Sequence, residues 1–348
     1  MPLPTEYKPT ATNDETRRLL HSFFKYLSAD GKSNLADDVL GCETDLKLRQ
    51  LVKNLETGLL FPMKALGGKS VKITQSPRLG VEDSIENFLS MDLESASRNQ
   101  QKKIRDECLL RENNRCMLTG AYDKENHPPG SAFGPLQATH IIPFSLRAFE
   151  NDAGRVRSCV IWTNIYRYFP AIRSRLNFTA EDIKNHENAM MLLEPLRGEF
   201  GAFHLSFAAT TTPNLYQVKT FPEFSSIFSS FLPANRLITF VSHDVRYQLP
   251  HPVLLEIHNA IAHILHATGR TEVIEKLQRE YEERKCLATG GATDVEMLLA
   301  VSSLSLLESA DKRNNHKRRP QGGSQETKGK QRAQSSDTEA TWKENEHP

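Results

Sequence analysis

Between Cys116 and about Phe221 the apolar residues come in short segments, Met117-Leu118, Ile141-Ile142, Cys159 to Trp162 and Ala189 to Leu193, separated by irregular sequence. Segments so short suit strands and loop anchors. "FHLSF" and "LYQVKTF", on either side of "AATTTPN", read as two strands joined by a longish turn. The flanks are different. Leu19, Leu20, Phe23, Phe24 and Leu27 recur at helical spacing, as do Leu48, Leu51, Val52 and Leu55, so residues 1–100 read as mostly helical. "SADGKSN" reads as a turn-rich connector, and residues 66–80 as a loop with a short strand at Val71 to Thr74. "SASRNQQKKIRDECLLRENNRC" reads as a helix running into a turn at its Asn pair. Downstream, "LPHPVLLEIHNAIAHILHATG" carries Pro252 near its first helical position, a run of Leu and Ile, and Gly269 as a C-terminal cap. Two further helical patterns follow at 271–285 and 293–309. The alternation of helical flanks and a short-segment middle makes the fold class α+β.

From about Asp311 apolar residues almost vanish, and Gln, Gly, Ser, Thr and charge predominate, so residues 311–348 are expected to be a disordered basic tail. Within it Lys312, Arg313, Lys317, Arg318 and Arg319 form two basic clusters, the pattern of a nuclear import signal, of backbone contact with nucleic acid or of a solubilising surface. The 348 residues carry 44 Lys plus Arg against 43 Asp plus Glu, so whole-chain charge gives no argument for a polyanionic partner. Five scattered cysteines without a C-x-x-C pair argue against a disulfide framework and a cysteine zinc knuckle, and fit a reducing intracellular compartment. No apolar run is long enough for a membrane span or a secretory leader, so no membrane partner is expected.

Residues 116–204 hold four histidines, His127, His140, His186 and His204, with several glutamates, from which a cation site could be assembled. On pattern alone the ordinary reading of His140, in "ATHIIPFSL", is a hydrogen-bonded histidine at a strand end. The order of the pieces says more. "RCMLTG" (115–120), then "LQATHIIPFSL" (136–146), then "NHENAMMLLEPLRGEFGAFHLSF" (185–207) resembles the HNH endonuclease family, and more narrowly the HNH proteins numerous in fungal genomes. The resemblance covers about residues 100–275.

It implies a ββα-metal (HNH, or His-Me finger) core, a hairpin followed by a helix that clamps one divalent cation, and phosphodiester hydrolysis. His140 would be the general base and Asn188 would pin the loop that orients it. Mg²⁺ or another divalent ion would be the cofactor and nucleic acid, DNA in the first place, the partner. The implied layout is a helical region over 1–100, the HNH-like core over 101–225, a helical part over 226–310 and the tail.

One departure strikes the metal side. The family's closing histidine falls nine positions after the Asn, where this chain has Arg197, with Phe200 keeping the aromatic three residues later and Gly201 where many relatives place Asp. A guanidinium stays protonated and offers no lone pair, so Arg197 cannot ligate a cation. Substitute ligands would have to come from His186, Glu194, Glu199 or His204, although Glu194 and Arg197 are spaced for a surface ion pair. Arg197 and Arg147 could instead neutralise phosphate directly, amid a local excess of Lys102, Lys103, Arg105, Arg111, Arg115, Arg155, Arg157, Arg167, Arg173 and Arg175. Two functions therefore stand open: an HNH endonuclease-like, metal-dependent nuclease, and a catalytically impaired HNH-derived module that binds nucleic acid or a protein.

Overall fold

The computed structural model describes residues 7–9, 14–64, 73–90, 98–147, 149 and 151–282. They fall in the larger of two compact units, Met1–Ser305. The tail with its basic clusters, the helical pattern at 293–309 and Val71-Lys72 of the expected strand lie outside the described residues.

The N-terminal region is helical: α1 (Thr16–Tyr26), α2 (Ala29–Leu40), α3 (Asp45–Leu55) running through a π turn (Glu56–Leu60) into α4 (Phe61–Lys64), α5 (Val81–Leu89) and α6 (Arg98–Arg111). "SADGKSN" is no connector, because it forms the first turns of α2. Ser28 takes the cap position and accepts the Gly31 N–H, and Asp30 lies at the positive end of the helix dipole. α6 stops at Asn113 and Asn114, both left-handed with φ of 51° and 55°.

Next come β1 (Tyr122–Asp123), β2 (Phe133–Gly134), β3 (Leu136–His140), α7 (Asp152–Tyr168), α8 (Ala171–Ser174), β4 (Ala189–Leu193), α9 (Glu194–Gly201), β5 (Leu205–Ala209), β6 (Leu215–Thr220), β7 (Leu237–Thr239), α10 (Pro252–Thr268) and α11 (Arg270–Glu282). The fold is α+β, with small separate sheets: β1-β2, β3-β4 and β5-β6-β7. "CVIW" is an interior stretch of α7, started by Asn151 accepting the Gly154 N–H at 2.8 Å. With Cys159, Ile161, Trp162 and Ile165 all buried, α7 has no clean solvent stripe, and the one-sided periodicity that betrays a helix is blurred. α2 crosses α7 so closely that a Cβ on Gly31 would lie 2.3 Å from the Tyr168 carbonyl oxygen.

Antiparallel β3 and β4 pair Leu136 with Leu193 and His140 with Ala189, and α9 follows β4 directly, with Pro195 in its first turn. This is a hairpin and helix in the expected order, with residues 141–188, α7 included, inserted between the strands. Gly269 ends α10 with φ of 68°. α10 lies against β5 and α1, and one apolar cluster runs from Tyr7 through the hairpin to Ile274, so the helical flanks and the hairpin share a core.

Candidate functional site

β4 buries four of its five side chains and β3 buries Leu136 and Thr139, and the buried backbone that continues from β3 needs hydrogen-bond partners. Asn188, fully buried, supplies them where β3 ends. Its Oδ1 accepts the Ile142 N–H at 2.8 Å, and its Nδ2 donates to the carbonyls of Ile142 (2.9 Å) and Ile183 (3.0 Å). The Asn188 carbonyl accepts the Ile141 N–H at 2.8 Å. The turn after His140 is thereby tied to the residue that opens β4.

The outer edge of β4 is held by side chains where another strand could lie. Arg111 Nη2 donates to the Ala189 carbonyl at 2.7 Å and to Glu112, whose Oε2 accepts the Met191 N–H at 2.8 Å. Burial pushes the Glu112 carboxyl up to about 7, against the opposing pull of Arg111. Arg111 is therefore no part of a basic surface: it is fully buried, and its Nη1 also donates to the His186 and Gln248 carbonyls, both at 2.8 Å. Arg167 chelates Asp38, Arg105 pairs with Asp123, and Arg115 stacks over Tyr122, so part of the predicted basic face is spent on internal contacts.

His140 opens onto a cleft of about 530 Å³. Thr139, Ile141, Pro143, Phe144 and Ser145 supply one wall, and Arg197, Gly198 and Gly201 of α9 another. The His140 ring leans on Phe144 at 5.1 Å between centroids, and its Nε2 is buried without a hydrogen-bond partner. Burial, and then the nearby Arg197 guanidinium, lower its pKa to about 4, so the ring is neutral at pH 7. Arg197 is exposed at the rim and makes no hydrogen bond or ion pair with another described residue. The expected Glu194–Arg197 pair does not form: Glu194 is exposed and Arg197 borders the cleft.

The four candidate substitute ligands are not brought together at His140. His204 does not line the cleft, and both its ring nitrogens face carboxylates elsewhere, Nδ1 at 3.0 Å from Glu199 Oε2 and Nε2 at 3.0 Å from Glu275 Oε1. Glu199 is committed to that contact, in a cluster where buried Lys64 holds Glu275 at 2.9 Å. His186 Nε2 accepts the Gln248 N–H at 2.9 Å, beside α6. Glu194 does not border the cleft. Among the described residues the cleft is lined by no Asp, Glu or Cys, and no three such groups or histidines are arranged for a metal. A divalent cation here would meet neutral donors, His140, Thr139, Ser145 and Gln101, facing an arginine, so the residues do not fit one.

The Arg147 backbone ends a 3₁₀ turn, Phe144–Arg147, and its side chain lies outside the described residues. Cys116 is buried, and burial raises its thiol pKa. His258 packs between Phe200 and Phe203, 3.8 and 4.3 Å between ring centroids, with Nε2 3.1 Å from the Phe200 carbonyl. Three cleft residues carry no local signal: Met63 of α4, Gln101 of α6 and His258 of α10 line it from elements remote in sequence. Only their flanking helices were legible.

Comparison with known proteins agrees with this geometry over part of the chain. Residues 116–208, which span β1 to most of β5, match the family model of HNH endonucleases. No curated protein and no solved structure matches the chain.

Proposed function

We propose that the chain is an HNH endonuclease-like protein that engages nucleic acid, DNA foremost, through backbone phosphate, with Arg197 at the His140 cleft where the family would place a cation ligand. The observation that carries this is the Arg197 guanidinium, unpaired among the described residues, bordering a cleft whose described lining holds no carboxylate. Phosphate is the group such a planar, permanently charged donor suits best. A metal-dependent nuclease needs anionic ligands that this cleft does not offer, so binding without metal-assisted hydrolysis is the better-supported of the two open functions. Two observations favour the hydrolytic reading: residues 116–208 match the HNH endonuclease model, and His140 is neutral, with a bare Nε2, at the end of a strand braced by Asn188.

Two assays separate them. In EDTA, labelled DNA should bind with an affinity that falls as salt rises, and Arg197→Ala should weaken it about tenfold, the worth of one charge-assisted contact. Supercoiled plasmid incubated with Mg²⁺, Mn²⁺ or Zn²⁺ should remain uncut. Nicking by the unaltered chain that His140→Ala abolishes would establish the hydrolytic reading instead. Absence of Arg197-dependent, salt-dependent binding would sink the phosphate reading.

A further inference from the structure

Resting on that reading, we infer that the cleft accepts one unstacked nucleotide of a single strand, its phosphate at Arg197 and its base against the buried wall. The lining residues differ in exposure, and Phe144 is the lining phenylalanine that keeps some accessible surface. Arg197 is exposed, whereas Met63, Ile141 and Phe203 are each 1% exposed and Phe144 is 9% exposed. A phosphate is small and polar and uses only the mouth. About 530 Å³ lies within the range of roughly 300–1,000 Å³ typical of small-molecule sites, so a heterocycle can follow the phosphate in.

Helix α9 leaves the room for it. A Cβ added to Gly198, the residue after Arg197, would meet nothing within 4 Å, and Gly201 lines the same face one turn on. Arg197 is thus followed by a smooth helix surface. The floor beyond it is firm, because Phe203 is stacked on His258, which is itself stacked on Phe200.

Double-stranded DNA keeps its bases stacked inside and presents phosphate and sugar outward. Docked at Arg197, a duplex would leave the apolar floor unfilled. A single strand presents both groups, and sequence-tolerant stacking on aromatic side chains is how proteins commonly hold one.

The test is fluorescence anisotropy in EDTA with a labelled single-stranded oligonucleotide and with the same sequence as a duplex. The unaltered chain should bind the single strand about tenfold more tightly, the worth of one stacked base. Gly198→Leu fills the cleft while improving helix propensity, and it should erase that preference but leave duplex binding in place. An oligonucleotide with abasic sites should bind like the duplex. Equal affinity for both forms, or a preference that survives Gly198→Leu, would overturn the inference and leave the phosphate reading standing. If neither form binds in an Arg197-dependent way, the phosphate reading falls and this inference with it.

Discussion

Asn188→Ala removes the side chain that joins the two ends of the hairpin. Three backbone groups lose their partner: the Ile142 N–H, the Ile142 carbonyl and the Ile183 carbonyl. Ile142 and Ile183 are themselves fully buried, so water cannot replace the amide without opening the turn. Each satisfied hydrogen bond contributes about 1 kcal/mol net, and a buried group left unpaired costs about 1–3 kcal/mol. Three such groups set a loss of at least about 3 kcal/mol, a large fraction of the ~5–15 kcal/mol that holds a typical domain folded. Chemical denaturation followed by circular dichroism reads it as a fall in midpoint. Asn185→Ala is the control, since that side chain makes a half-buried contact with Asp182 (3.0 Å) and should cost under about 1 kcal/mol. If Asn188→Ala matches the control, the turn after His140 is not held by this amide, and the argument for its positioning role fails.

Two further outcomes follow from the same geometry. His140 should titrate near pH 4 by NMR, and Arg197→Gln should raise that value while leaving it below 6.5, because burial is the larger cause. An unfolded histidine takes its proton near 6.5, so the unfolded chain binds more protons between the two values; stability is fully present above about pH 6.5 and falls toward pH 4. The loss has a ceiling of roughly 3 kcal/mol, reduced by solvent reaching the ring through the cleft, and a His140→Ala chain should show a shallower pH dependence. Gly31→Ala should lower the thermal midpoint despite alanine's better helix propensity, because its methyl would stand 2.3 Å from the Tyr168 carbonyl and force α2 away from α7; an unchanged or raised midpoint would contradict that close crossing.

Legibility divided along a physical line. The helices around Leu19–Leu27 and Leu48–Leu55, the hairpin of β5 and β6, and the end of α10 at Gly269 were readable, because caps, periodicity and turns are set by residues a few positions apart. α7 was not, because a helix covered on most sides has no polar face to mark its period. "SADGKSN" misled for a related reason: its small polar residues suit a turn and a helix start alike, and packing of Gly31 against Tyr168 chose the start.

By itself the chain determined an α+β protein and the order Arg-Cys, His140, Asn188, Arg197, Phe200 along it. Tertiary structure decided what those residues face. It spent Arg111 and Glu112 on the edge of β4, gave His204 to Glu199 and Glu275, and joined Met63, Gln101 and His258 to one cleft around His140. Contacts such as His204 with Glu275, 71 residues apart, depend on how whole elements dock, and the desolvation that keeps His140 neutral exists only once other parts of the chain cover it.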